Sequence, residues 1–178
     1  MDCSPSGSSV HGILQARMLV WLALMTCACS AGPAFEGGEM SCGMRATDGA
    51  IDSITIDKET MEPHFTVIGE EGQTPIGICG SGIIDAVAQM LLTGIIGANG
   101  RIKREGDRIV RDEHNMARYI LVKEEESPLG REVSINEVDI DNFMRAKAAI
   151  FSAVVLMTGQ LGLEVSDIEH IQIGRAHV

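Results

Sequence analysis

The stretch PIGICGSGIIDAVAQMLLTG, residues 75–94, restricts the fold more than any other part of the chain. A short apolar run meets three small residues, Gly80, Ser81 and Gly82, and then passes at once into a helical pattern. This is a strand, a glycine turn and a helix in immediate succession. Ile83, Ile84, Val87 and Leu91 form the expected buried stripe, and Gly94 is placed to end the helix. The N–H groups of Gly80, Ser81 and Gly82 would then face outward at a helix start, where backbone donors and the helix dipole both favour an anion. Asp85, one turn further in, has the spacing either to hold a metal-bound water or to act in capping. A tight strand–helix connection accounts for the same glycines equally well, because isolated glycine motifs are unspecific.

The composition agrees with an α/β domain. Of 178 residues 45% are apolar but only 3% aromatic, so the core must be aliphatic, with ten methionines as adaptable filler. Many of the 20 glycines stand at the ends of apolar runs, as in alternating strands and helices. The net charge of −11, with no basic patch, argues against nucleic acid or an anionic membrane as partner. A bound polyphosphate would need a local backbone site and a metal ion. The cysteines, Cys3, Cys27, Cys29, Cys42 and Cys79, are odd in number and have no framework spacing, which points to reduced thiols and a cytoplasmic setting. Cys27-Ala-Cys29 is neither a zinc knuckle nor a cluster-binding run, so no metal is expected on this chain.

Elsewhere, Arg17 and the apolar run Met18 to Met25 imitate a secretion signal, and a secreted protein with a cleaved leader is one alternative. The run is too short to span a membrane, and LALMTCACS fits a core strand better. Pro33 suits the first turn of a helix over 34–45, with Phe35, Met40 and Met44 on one face. AIDSITID and HFTVIG are expected to pair as a hairpin around Lys58 to Pro63. Short surface strands are expected in 98–115, with turns at Asn99-Gly100 and Gly106-Asp107, then a strand at ARYILV and an exposed acidic loop at Glu124 to Glu126. Two further helices are expected at 81–93 and 137–161. The second has a stripe of Phe143, Ala146, Ile150, Val154, Met157 and Leu161, a cap at Asn136 with Asp139 three residues on, and Gly162 beyond its end. IEHIQIG should be a final strand.

No phosphate-binding P-loop, nucleophile elbow or His-Glu-x-x-His pair is present, so the catalytic residues stay unknown. A second candidate site is CSAGPAFEGG. Its turn of Ala31, Gly32, Pro33 and Ala34 would let a ligand approach the backbone, and Glu36 is placed to hydrogen-bond a ribose hydroxyl. A helix entry packed tightly on a sheet explains the same residues.

ACSAGPAFEGGEMSCGMRATDGAI, PIGICGSGIIDAVAQML, and RAKAAIFSAV leading to IEHIQIG, in that order, resemble the C-terminal domain of the reductive activators of corrinoid proteins. The resemblance runs from about Thr26 to Gly174. It implies a ribonuclease-H-like, actin-type ATPase half with a mixed sheet, in the superfamily of acetate and sugar kinases, heat-shock chaperones and actin. It implies ATP with Mg2+ as ligand of the parent, and a 2Fe-2S cluster in an N-terminal ferredoxin domain that this chain lacks. The partner would be a corrinoid protein of a methyltransferase system, reduced from cobalt(II) to cobalt(I). By this resemblance Ala31, Gly32, Pro33, Glu36, Gly80, Ser81, Gly82, Asp85 and Gly174 are the nucleotide-binding residues. CSAGPAFE is also similar to the Cys-Ala-Ala-Gly-Thr-Gly-x-Phe turn of the 2-hydroxyacyl-CoA dehydratase activators.

The departures lie at the ends. The family's Asp-Ile-Gly-Thr-Asn loop is replaced by a segment that resembles a translated mammalian interspersed repeat. Its Gly-Gly-x-Phe-Gly turn is replaced by IGRAHV, which resembles a translated sequencing adapter. The expected organisation is therefore a non-native or disordered leader at 1–24, an incomplete activator domain at 25–174 and a non-native tail at 175–178. Such a fragment is expected to bind no cofactor, to hydrolyse negligible ATP and to leave sheet edges open unless it forms a homodimer. The alternative within the superfamily is a small-molecule kinase, for which Asp48, Asp52 and Asp85 are the candidate bases.

Overall fold

The computed structural model describes residues 38–127 and 130–168. The chain divides into two compact units, Ala31–Ala148 and a second made of Met1–Ser30 with Ala149–Val178.

In the first unit, β1 (Ala50–Ile56) is the centre of a three-stranded mixed sheet with β2 (Pro63–Val67) antiparallel on one side and β3 (Gly77–Ile78) parallel on the other. The isoleucines of β1 are spaced three and then two apart, which a regular pleat cannot bury on one face. A bulge resolves this: Ile51 pairs with Val67 and Ser53 with Thr66, so Asp52 is the extra residue and Ile51, Ile54 and Ile56 are all buried. The predicted hairpin forms around Asp57. Its carboxylate accepts the N–H of Glu59 at 2.9 Å, the N–H of Thr60 at 2.7 Å and the Thr60 hydroxyl at 2.9 Å. Pro63 is tolerated because it opens an edge strand.

The helix predicted from the glycine turn is α1 (Gly80–Leu92), and Gly94, at φ +74°, follows its end. Its buried stripe is Gly82, Ile83, Ala86, Val87 and Met90. Two of the residues predicted to lie inside point outward instead, Ile84 at 45% and Leu91 at 52% exposed. The helix is rotated because Gly82 and Ala86 let its backbone lie close to β1. A Cβ on Gly82 would run into the Ile51 carbonyl oxygen. Along the same line Asp85 Oδ2 accepts the Ile54 N–H at 3.3 Å and Gln89 Oε1 accepts the Ile56 N–H at 3.4 Å. These two side chains thereby satisfy N–H groups on an edge of β1 that β3, only two residues long, does not reach.

The helix predicted over 34–45 does not form in its described part. Residues 38–45 are turns with an isolated parallel bridge between Gly43 and Ile78. Tertiary partners take the groups that a helix would use: Ser41 donates its N–H to Asp139, and the Cys42 carbonyl accepts the Ile78 N–H. Gly38 and Gly43 also weaken any local helical preference.

A second, antiparallel sheet has the order β4 (Ile109–Arg111), β5 (Ala117–Val122), β6 (Val133–Asn136). The turns at Asn99-Gly100 and Gly106-Asp107 form as predicted, with Gly100 N–H donating to the Gly97 carbonyl and Ile109 N–H to that of Gly106. The acidic run Glu124–Glu126 is an exposed 3-10 turn. Arg108, only 6% exposed, donates two hydrogen bonds to the Glu62 carboxylate and one to the Leu121 carbonyl at 3.3 Å. Beside it the buried Tyr119 hydroxyl donates to the Met61 carbonyl at 2.8 Å, and burial pushes this phenol's pKa up. The turn after β1 is thus fastened to the second sheet.

α2 (Glu137–Gln160) starts directly from β6 with the predicted cap: Asp139 N–H donates to Asn136 Oδ1 at 2.8 Å and Asn136 N–H to Asp139 Oδ2 at 3.1 Å. Of its predicted stripe, Phe143 is buried and Ala146 half-buried. In the second unit Ile150, Val154, Met157 and Leu161 are half-buried, Phe151 and Leu156 are exposed, and Gly162, at φ +70°, follows the helix. The predicted strand LALMTCACS lies outside the described residues, as does IEHIQIG beyond Ile168.

Two outcomes follow from this packing. Gly82→Ala should lower stability by about 2 kcal/mol in urea unfolding, although alanine is the better helix former by about 1 kcal/mol, because the Ile51 carbonyl cannot withdraw. The Arg108 hydrogen bonds hold the Glu62 carboxyl below its ordinary range. A depressed carboxyl contributes stability above its unfolded pKa of about 4.3 and loses it as pH falls through the folded value. Urea midpoints of wild type and Glu62→Gln should therefore differ at pH 7 and converge in acid; a gap that stays constant with pH would show that the charge is irrelevant.

Candidate functional site

The candidate site is the start of α1. Cys79 has the extended backbone of an N-cap residue, but its side chain caps nothing. Its own N–H donates to the Ile51 carbonyl at 3.0 Å, and the first helical bond runs from Ile83 N–H to the Cys79 carbonyl at 2.9 Å. The amides of Gly80, Ser81 and Gly82 come before that bond and meet no acceptor among the described residues. No acidic side chain lies in the first turn, so the helix itself does not compensate the partial positive charge of its end. Ser81 is exposed, Gly80 half-buried and Gly82 buried against β1. Cys79 Sγ lies 3.2 Å from Ser81 Oγ.

Of the residues named from the sequence, Gly80, Ser81 and Gly82 are brought together here, and Asp85 stands one turn on with Oδ2 given to the Ile54 amide. Ala31, Gly32, Pro33, Glu36 and Gly174 lie outside the described residues. The three aspartates considered as alternative kinase bases are placed differently. Asp52 is held by the Thr66 hydroxyl at 2.5 Å, Asp85 by the Ile54 amide, and Asp48 is exposed in the turn before β1.

Sequence reasoning missed the segment that flanks this helix start. Ser41 donates both its N–H and its hydroxyl to Asp139 Oδ1, at 2.9 and 3.1 Å. Just beyond it, Cys42 accepts from Ile78, the residue before Cys79, and Ile78 accepts from Met44. No short-range signal announces this, since Ser41 and Asp139 are 98 residues apart. Burial pushes the Cys42 thiol up, against an opposing backbone hydrogen bond from Ser134, so it stays protonated rather than becoming a reactive thiolate. Cys42 and Cys79 are both free thiols, and no group of three or more metal-ligating side chains converges among the described residues.

Comparison with known proteins gives this arrangement its context. Residues 19–176 match the family described as the C-terminal domain of RACo, the ASKHA domain. The corrinoid activation enzyme RamQ of Eubacterium limosum is 35% identical over 153 residues, which cover 82% of this chain and 25% of that protein. The Co(II) methylated amine-specific corrinoid protein reductase of Methanosarcina barkeri is 26% identical over 171 residues, covering 86% of this chain and 28% of that one. A solved reductive activator for corrinoid, iron-sulfur protein superposes with a TM-score of 0.72 at 41% identity, over 80% of this chain and 23% of that chain. The chain thus spans about a quarter of the length of the curated relatives it matches. Its mixed α/β architecture agrees with an actin-type ATPase half. The chain belongs to the family of C-terminal ASKHA domains of corrinoid reductive activators.

Proposed function

We propose that this chain supplies the nucleotide-responsive C-terminal part of a reductive activator, whose parent uses ATP with Mg2+ to return a corrinoid protein of a methyltransferase system from cobalt(II) to cobalt(I). One observation carries the proposal: within a chain of this family, α1 opens on three backbone amides that, among the described residues, no side chain caps and no carboxylate neutralises. These donors fit phosphate oxygens, and Gly80 brings no side chain between ligand and backbone. Mg2+, when bound with the nucleotide, supplies the positive charge that a chain of net charge −11 lacks.

The chain's own residues bind and orient. Gly80, Ser81 and Gly82 donate N–H groups, while the Cys79 N–H holds the helix start to Ile51, so a ligand that draws on α1 also draws on β1. In this proposal Ala31, Gly32, Pro33 and Gly174 add backbone contacts, Glu36 meets the ribose and Asp85 borders the site. Cys42 and Cys79 do not form a ligand set for a 2Fe-2S cluster. That cluster, and the electrons it passes on, are assigned to a part of the parent outside this chain. A cytoplasmic, homodimeric assembly completes the proposal. No helix among the described residues is long and apolar enough to cross a membrane.

A 15N–1H correlation spectrum of the chain, titrated with Mg-ATP to millimolar concentration, tests the contact even when binding is weak. The amides of Gly80, Ser81 and Gly82 should shift while those of Gly72 and Gly130, on remote loops, stay fixed. A titration that leaves all three unmoved would show that this chain does not hold the phosphates through α1.

A further inference from the structure

Asp139 does more than cap its helix. It is 3% exposed, and its carboxylate accepts three hydrogen bonds. Oδ2 takes the Asn136 N–H at 3.1 Å, which by itself completes the capping box with the Asp139 N–H on Asn136. Oδ1 is left over from that task and takes the N–H and hydroxyl of Ser41. Two further side chains of the same helix start reinforce the grip: Asn136 Nδ2 donates to Ser41 Oγ at 2.8 Å, and Asn142 Nδ2 to the Glu39 carbonyl at 3.1 Å.

From Ser41 the connection runs in two steps to the start of α1. The next residue, Cys42, accepts the Ile78 N–H at 2.8 Å, and the Ile78 carbonyl accepts the Met44 N–H at 2.9 Å. Ile78 is followed by Cys79 and then by the three amides that meet no acceptor among the described residues. The approach is close enough to require glycine on the other side. A Cβ on Gly77 would stand 2.8 Å from both the Cys42 carbonyl oxygen and Met44 Sδ. Residues 41–44 are therefore held between a buried carboxylate and the outer side of a two-residue strand whose other side pairs with β1.

We propose that Asp139 is a positioning residue: through Ser41 and the strap 41–44 it sets where Ile78, and with it the donor array of Gly80, Ser81 and Gly82, is held. This rests on the phosphate contact proposed above for its functional meaning, but its structural part can be tested without any ligand. Charge-assisted hydrogen bonds from a buried carboxylate are directional and stiff, which suits a group that fixes geometry at a distance. A displacement of about 1 Å in a positioned donor is enough to change a ligand's affinity or reactivity many-fold.

The test compares wild type, Ser41→Ala, Ser41→Thr and Asp139→Asn in the full chain. It records amide exchange and shifts at Ile78 to Gly82 without nucleotide, the urea midpoint, and then the Mg-ATP titration. Ser41→Ala removes the hydroxyl's bonds with Asp139 and Asn136 but keeps the Ser41 N–H on Asp139, so the urea midpoint should change little. It should speed exchange of the Ile78 amide about tenfold, a local opening, and shift the amides of Gly80 to Gly82. Ser41→Thr, which keeps the hydroxyl, should restore both. Asp139→Asn should act in the same direction more strongly; should it fail to fold, Ser41→Ala carries the decision. Changes confined to 39–44 and 136–142, with Ile78 to Gly82 unmoved, would overturn the proposal, as would faster exchange throughout the core with a lowered midpoint. If wild type binds Mg-ATP, Ser41→Ala should weaken it several-fold. If wild type shows no response, the phosphate contact fails on its own, and the ligand-free exchange still decides the role of Asp139.

Discussion

The buried Arg108 guanidinium joins the two sheets of the Ala31–Ala148 unit, and the rest of that unit is arranged around the junction. It reaches back to Glu62 in the turn that follows β1 and forward to the Leu121 carbonyl of β5, while Tyr119 pins the neighbouring Met61 carbonyl. A cation this far from water is tolerated only because its donors are taken; removing its partner strands the charge and is far costlier than losing a surface pair. Glu62 itself is 48% exposed in its side chain, so the attraction between the two is partly screened. The satisfied burial of the guanidinium, more than the strength of the pair, is what fixes one sheet against the other. The aliphatic core then fills the space on either side, from Ile51 and Ile54 in the first sheet to Leu121 and Ile135 in the second.

With the sheets fixed, the position of α1 follows from backbone contact rather than from side-chain interlock. The bulge at Asp52 lets Ile51, Ile54 and Ile56 face inward together, and Gly82 lets the helix settle against the Ile51 carbonyl. Asp85 and Gln89 then close the edge of β1. Of these helix contacts, that of Gly82 lies in the first turn and those of Asp85 and Gln89 lie along the body. That first turn also carries the orphan amides of any helix, and among the described residues no side chain caps them.

How much of this the sequence announced depends on distance along the chain. The strand–turn–helix at 75–94, the hairpin about Asp57 and the Asn136–Asp139 cap are written in residues within a turn or two of one another, and all three form. The helix phase was legible only in part. Ile83, Ile84, Val87 and Leu91 make a good apolar row, but Gly82 and Ala86 mark the face where the backbone approaches β1, and small residues carry little weight in a hydrophobic pattern. The helix expected over 34–45 fails in its described part because residues 41–44 bond to Ile78 and Asp139, far off in sequence. Arg108 looked like one more charge in a polar stretch; its burial depends on Glu62, 46 residues earlier.

If the function proposed above holds, the same geometry bears on how a nucleotide would be shared between this chain and other parts of a parent protein. α1 contains no lysine or arginine, so its first turn offers a phosphate only partial charges, in a chain whose net charge is −11. Backbone donors of this kind orient an anion well but compensate its charge poorly, and a polyphosphate held by them alone would bind weakly. A ligand bound weakly by each of two segments, and well only by both, favours whichever arrangement brings them together. It shifts a conformational equilibrium by the difference in its affinity for the two arrangements. Under the function proposed above, an activator that changes shape to let an electron pass would need that differential binding, and a chain that gripped ATP tightly on its own would have less of it to offer. The sparse, well-placed donor set at the start of α1, held in position from Asp139 through Ser41, is suited to that division of the nucleotide.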